Sequence, residues 1–374
     1  MDDVIRILGE LISFPTVVGT SNRDIVAFIS GRLEECGATV TVLPGPEGDR
    51  SNIFASFGPT AEAGLVLSGH MDVVPARQDE WTGDPFILRR DGERLHGRGT
   101  TDMKGFLAAM LAIAPSLGKM ELRRPLHMAF SYDEEAGCIG VPHLIKQIPQ
   151  LCARPFGCIV GEPSGLSPVR AHKGKAAVRI SIEGLGGHSS RPDLGLNAIA
   201  ALGVLLQAAT EQAEHARQGR QDPIFQPAYS TLQVGTCRGG EALNIIPAHA
   251  EMEMEARAIP GVDPTAVLAP VLDKIPLLEK QGYKITVKQL SNYPGLMLDA
   301  SAPLTELVLN ASGRDLQDAV SYGTEAGLFQ AAGIPSIICG PGDIARAHKP
   351  NEYILASELH DCVSFLKRIA TELV

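Results

Sequence analysis

Acidic residues and histidines in this chain stand at the ends of apolar runs. "SYDEEAGCIG" (131–140) sets Asp133, Glu134 and Glu135 side by side directly after "PLHMAF". Adjacent carboxylates repel one another, and a strand end near a core raises that cost. A solvated loop would relieve it by hydration, a polyvalent cation by charge. The pattern recurs: "LVLSGHMD" ends in His70 and Asp72, "CIVGEP" closes on Glu162, and "GRGTTDMKG" carries Asp102 in a glycine-rich loop that opens a helix. His, Asp and Glu are the ligand types for zinc or a similar divalent ion. No cysteine accompanies them at zinc-finger spacing, which favours an open catalytic site over a structural one. His70 and Asp72 are two apart and share one face of an extended segment, so the Asp72 carboxylate is expected to accept the second N–H of the imidazole. Taken singly, each residue has a plainer reading: a structural histidine, a solvated acid pair, a helix N-cap at Asp102, a turn residue at Glu162. Only a shared edge turns them into a site.

The elements that must supply this edge are legible as alternating runs. "ATVTVL", "NIFASF", "GLVLSGH", "PLHMAFSY" and "FGCIVGE" read as strands. Helical patterns run from Met103 to about Leu117 and near 138–150, and "EAGLFQAAG" followed by "PSIICG" resumes the alternation late. Strands alternating with helices predict an α/β fold, a mostly parallel sheet with flanking helices. Such sheets bind ligands outside the carboxyl ends of their strands. A differently written segment lies between. "KAAVRISIEG" puts Val178, Ile180 and Ile182 on one face, a helix follows from about Gly195 to Ala216, and "YSTLQVGT", "AEMEMEAR", "DPTAVLAPVLDKIPLLEK" and "YKITVKQL" complete a βαββαβ order. That order is ferredoxin-like. The expected organisation is therefore one domain from 1–173 and 290–374, interrupted by a second over 174–289, with hinges near Gly174 and "SNYPG".

Composition narrows the functions. The chain has 374 residues, 44% apolar and 20% charged, an ordinary globular balance. A net charge of −10 with scattered basic residues gives nucleic-acid binding no electrostatic support. The acidic, amphipathic start "MDDVIRILGELISF" is unlike a signal peptide. The longest apolar stretches are too short to span a bilayer, so no membrane role is expected. Seven cysteines without CxxC spacing read as thiols in a reducing cytoplasm. GxSxG is missing, which disfavours a serine hydrolase. "GLGGHS" has Ser189 where a dinucleotide motif needs its last glycine.

The longer motifs "GRGTTDMKGF", "GEPSGLSPVRAHKG", "GHSSRPDLGLNAI" and "GPGDIARAHKPNEY" carry a resemblance. From "SFPT" to "AHKPNEY" the chain resembles the dizinc amidohydrolase family of acetylornithine deacetylases, succinyl-diaminopimelate desuccinylases and aminoacylases. The resemblance implies two Zn2+ ions, replaceable by Co2+. His70 and Glu162 would hold one, Glu135 and His348 the other, and Asp102 would bridge them, with a cis peptide at Asp102–Met103. A pair of such ions acidifies a water, and Glu134, free of ligand duty, would be the general base. Asp133 is left without a role. In "GGHSS" and "ALNIIP", His188 and Asn244 would stabilise the oxyanion, His188 coming from the other subunit of a homodimer formed by the inserted domain. Without the resemblance they read as turn residues. Arg257, in "EMEARAIPG", would fork onto the substrate carboxylate, aided by Gly323 and Thr324 of "SYGTEAG". Glu325, next in that loop, is placed opposite the ammonium of an ornithine-like side chain, or else is a helix-start acid. The implied reaction is hydrolysis of the amide of a small N-acyl amino acid. N2-acetyl-L-ornithine, giving acetate and L-ornithine in arginine biosynthesis, leads, and succinyl-diaminopimelate or another N-acyl amino acid is the alternative. A non-enzymatic descendant would lack a ligand or the base, and none is missing.

Overall fold

The computed structural model describes residues 2–374. The chain forms two compact units. One comprises the chain up to Ala171 with Leu296–Asp318 and Thr324–Val374, the other His172–Gly295 with Ala319–Gly323.

The first unit is built on a six-stranded sheet in the order Thr39–Pro44, Ser51–Phe57, Leu126–Ser131, Leu65–His70, Gly157–Pro163, Ser336–Gly340. The last four run parallel, and every residue in them is buried. Parallel strands covered on both faces need such continuous apolar runs. Thr39–Pro44 and Ser51–Phe57 form an antiparallel hairpin added at one edge, so the sheet is mixed, though mainly parallel.

Helix Gly105–Leu117, buried along nearly its whole length, packs against helices Asp2–Ile12 and Ala356–Thr371. Its Phe106 ring lies against Gly161, where any Cβ would overlap the ring. Truncating a core residue such as Leu107 to Ala is expected to cost about 2–5 kcal/mol. Because the central strands share direction and register, His70 stands beside Ser131, and the polar ends of three strands open on one edge.

Prolines subdivide two of the expected helices. The pattern near 138–150 becomes Val141–Ile145 and Ile148–Leu151, and "DPTAVLAPVLDKIPLLEK" becomes Pro264–Leu272 and Ile275–Glu279. Pro149 and Pro276 each sit at the second position of the later segment, where a missing N–H is tolerated at a helix start but not inside a continuous helix.

The second unit holds a four-stranded antiparallel sheet in the order Thr231–Gly239, His249–Ala258, Gly174–Glu183, Lys284–Tyr293. Val178, Ile180 and Ile182 are buried together with Met252, Met254 and helix residues Leu202, Leu205, Val267 and Leu268. Alternate residues carry charge, including the cross-strand pair Arg179–Glu253. This is the half-buried, period-two sheet that the βαββαβ pattern demands. Among the described residues, no helix is long and apolar enough to cross a membrane.

Candidate metal centre

His70 ends its strand with the imidazole buried. Nδ1 lies 2.9 Å from the Asp72 main-chain oxygen. A carbonyl only accepts, so Nδ1 carries the proton. Nε2 faces Asp102 Oδ1 at 3.0 Å and Glu162 Oε1 at 3.9 Å; it donates to Asp102 here, and its lone pair would become available to an ion that displaced that proton. The Asp72 carboxylate was expected in this role, but Oδ1 stands 3.6 Å from Nδ1. Its two oxygens instead accept the main-chain N–H groups of Glu134 and Glu135, each at 3.0 Å. Asp72 thus orients His70 through its backbone and the acidic loop through its side chain.

His348 approaches the same edge from a loop, with Nε2 2.8 Å from Glu135 Oε1 and 3.2 Å from Asp102 Oδ2. Two triads result, His70–Asp102–Glu162 and Asp102–Glu135–His348, and within each the potential ligand atoms lie inside 4.8 Å of one another. Asp102 belongs to both. Donors about 2.0–2.2 Å from a common ion stand up to roughly 4 Å apart, so small side-chain adjustments suffice for either triad to close on one. The Asp102–Met103 peptide is cis, as the resemblance implies.

The electrostatics of these side chains ask for positive charge. Burial, and then Asp102, push Glu162 well above the ordinary carboxylate range. Burial likewise raises Glu134 to about 8, with Glu135 adding repulsion, and Asp72 to about 6. Burial also opposes ionisation of Asp102, but hydrogen bonds from His348 and His70 outweigh it and hold that acid low. Asp102 and Glu135 raise His348 to about 10. Despite burial, Asp102, Asp72 and Glu162 carry His70 upward too. The imidazoles hold protons where metal ligands offer lone pairs, and divalent cations would displace those protons. The donor set fits one or two such ions.

The family model for peptidase family M20/M25/M40 matches residues 66–372. The chain belongs to the M20/M25/M40 peptidase family. Acetylornithine deacetylase of Photorhabdus laumondii is 33% identical over 365 residues, covering 94% of this chain and 92% of that one. An M20 family metallo-carboxypeptidase of Sulfolobus solfataricus superposes with a TM-score of 0.80 at 20% identity, over 99% of each chain. YXEP of Bacillus subtilis, described as a dinuclear metal-binding M20 peptidase, does so with a TM-score of 0.67 at 16% identity, over 99% of this chain and 98% of that one. Membership makes this protein a metal-dependent enzyme.

Other site residues of this M20 enzyme fall differently. In the second unit, Gly187–His188 pairs with Ile245–Ile246, and Ser189 N–H donates to the Asn244 carbonyl at 3.1 Å, so His188 and Asn244 stand together on exposed loops. Ser190 N–H donates to His188 Nδ1 at 3.1 Å, which leaves the ring proton on Nε2, ready to be given. Arg257 is half-buried with Nε 3.2 Å from Glu255. Gly323 lies against Tyr293 with no room for a side chain.

Two expectations need correction. Thr324 is buried, and its hydroxyl accepts the Ala326 N–H at 3.1 Å, capping a helical turn instead of standing free. Glu325 does not present its carboxylate to a ligand ammonium. It is 1% exposed, takes a hydrogen bond from Ser68 Oγ at 3.2 Å, and burial pushes it up to about 7. Starting a short helix with its side chain turned inward, it meets the strand that carries Ser68.

Asp133, which had no role, is buried in an ion pair with Arg50 and accepts the Gly19 N–H at 2.8 Å. It fastens the acidic loop to the N-terminal segment. Sequence reasoning missed Arg98 and Glu352, a buried ion pair at 2.7 Å behind Asp102. The motif "AHKPNEY" contains Glu352, but nothing in its spacing ties that residue to the glycine-rich loop.

Proposed function

We propose that this enzyme hydrolyses the amide bond of N-acyl amino acids, with N2-acetyl-L-ornithine as substrate and acetate and L-ornithine as products. The observation that carries the reaction class is the pair of triads sharing Asp102, with Glu134 beside them, inside an M20 chain. The 33% identity to a named acetylornithine deacetylase supports the substrate and a place in arginine biosynthesis.

His70 and Glu162 would hold one zinc, Glu135 and His348 a second, and Asp102 both, with cobalt able to substitute. When bound, such ions supply Lewis acidity, lowering the pKa of a water and polarising an amide carbonyl. Glu134 takes a proton from the attacking water and gives it to the departing amine nitrogen. The water oxygen bonds to the carbonyl carbon, the C–N bond breaks, and the acyl group leaves as a carboxylate, its remaining proton passing to the amine, which departs as an ammonium. His188 Nε2–H and the Asn244 amide are the donors for the developing oxyanion. Arg257, with the Gly323 backbone, takes the substrate carboxylate.

The second unit acts as a dimerisation domain, and His188 serves the site of the neighbouring subunit. Apolar Leu185, Leu194, Leu243 and Ile245 stand exposed around the His188 loop, which supports a second copy as their cover. Seven unpaired cysteines support a cytoplasmic setting.

A panel of acetyl-, formyl- and succinyl-amino acids including ornithine and diaminopimelate, read by liberated amine, tests the assignment. Preferential release of ornithine from its acetyl derivative is expected. Faster release of diaminopimelate from its succinyl derivative overturns the substrate, and no release from any member overturns the reaction.

A further inference from the structure

Behind the two triads, one buried carboxylate makes four bonds. Glu352 Oε1 accepts the N–H groups of Thr101 at 2.9 Å and Asp102 at 3.1 Å. Its Oε2 accepts the Gly99 N–H at 3.1 Å and Arg98 Nη1 at 2.7 Å. The side chain is 1% exposed, and each oxygen is occupied twice. Glu352 therefore binds the main chain of the very residue the triads share. The same contact joins two loops. Glu352 lies four residues after His348, Thr101 Oγ1 donates to the Tyr353 carbonyl at 2.6 Å, and Gly97 N–H donates to the Glu352 carbonyl at 3.1 Å. Gly99, at φ +84°, makes the turn possible, and a Cβ there would sit 2.6 Å from Val73.

We propose that Glu352 is a positioning residue of the metal centre, its carboxylate clamping the Arg98–Asp102 turn to the His348 loop and so fixing Asp102 between the two triads. The inference rests on the dinuclear reading above. A carboxylate is the group that suits this place. Four donors converge, three from backbone and one charged, and only an acceptor with two open oxygens satisfies them all. Glutamine has nearly the same volume but turns one NH2 toward two donors. The turn must then shift, and the Asp102 side chain shifts with it. Groups behind the ligands of a metal site typically change metal affinity or activity by about 10–100-fold when removed.

The test uses Co2+ alone as probe, added to metal-stripped full-length wild type, Glu352→Gln and Arg98→Lys. Calorimetric titration gives stoichiometry and affinity, visible absorption reports coordination geometry, and the melting temperature of the stripped protein reports the fold. Wild type is expected to take up two ions. Glu352→Gln is expected to lose roughly 10–100-fold in affinity for at least one, with an altered absorption band and a lowered kcat at little-changed KM. Arg98→Lys keeps the charge but loses the planar fork, and is expected to shift the same signals less. It carries the test if Glu352→Gln does not fold. If the folded variants bind two Co2+ with wild-type affinity and spectrum, differing only in melting temperature, Glu352 merely stabilises the fold and the inference is overturned alone. If wild type takes up no Co2+, the dinuclear reading falls and takes the inference with it.

Discussion

His70, Asp102 and Glu162 are buried, and each faces at least one other member of the cluster. His188 and Asn244 stand in solvent on two exposed loops that are tied to each other by a short ladder. Convergent charges repel, so the first region must be locked by surrounding structure before a cation arrives, and Asp72, Asp133 and Glu352 do that locking. In the proposed reaction His188 and Asn244 act only when charge develops on the substrate, so they carry no such standing repulsion and need no lock. Preorganisation is thus spent where the ground state is unstable, while the exposed donors are left to be ordered by what docks on them.

The sharpest way to break this contrast is within the first region. Glu134→Gln keeps shape and removes basicity, so kcat should fall by roughly 10²–10⁴ with metal content unchanged by elemental analysis. Glu135→Gln should instead lose metal from one site. Normal turnover by Glu134→Gln would show that the base lies elsewhere.

In the second region, His188→Ala should lower kcat by about 10²–10³ and leave the metals in place. Glu134→Gln and His188→Ala chains mixed under subunit exchange should recover up to about a quarter of wild-type activity, because half the dimers are mixed and each has one intact composite site of two. Verified mixed dimers without activity would place His188 in its own subunit's site or outside catalysis.

A pH experiment sharpens the contrast further. Burial raises Glu134 to about 8 and Asp72 to about 6, and carboxylate neighbours raise His348 to about 10. All three bind more protons folded than unfolded, so each loses stabilisation as pH rises. For the acids the loss begins at their unfolded values, near 4, and is complete above the folded ones. For His348 it runs from about 6.5 to about 10. Metal-stripped protein should melt at progressively lower temperature from pH 5 to pH 8. Metal-loaded protein should not, since cations replace the protons. Parallel melting curves would mean that the cluster is not strained.

The smallest effect is expected at Glu325→Gln. A buried group bonded to Ser68 should change stability by about 1–3 kcal/mol, and kcat/KM by the same factor for acetylornithine and acetylmethionine. A selective loss for acetylornithine would return Glu325 to substrate recognition.

The sequence disclosed what is periodic or terminal. Largely apolar strands running up to His70, Glu134–Glu135 and Glu162 predicted a common edge, and Val178, Ile180 and Ile182 predicted the half-buried sheet. It concealed what depends on the path of loops. Asp72 looked like a carboxylate partner for His70, yet the same residue reaches it through the carbonyl, and no residue code separates main-chain from side-chain acceptance. Asp133 and Glu352 pair with Arg50 and Arg98 across 83 and 254 positions, separations over which spacing carries no signal. Glu325 was left between two readings because a helix-start acid can face either way, and the packed strand beneath it favours the inward one.

The first unit is interrupted, and this sets a timetable for its synthesis. His70, Asp102, Glu135 and Glu162 are translated early, but His348 and Glu352 follow only after the entire second unit. At about 5–20 residues per second, the nascent chain spends roughly ten to forty seconds with these acids made and its last histidine unmade. The Arg98–Asp102 turn has no Glu352 to close on during that interval. The strands of the second unit, by contrast, are all made by Tyr293, well before His348 and Glu352.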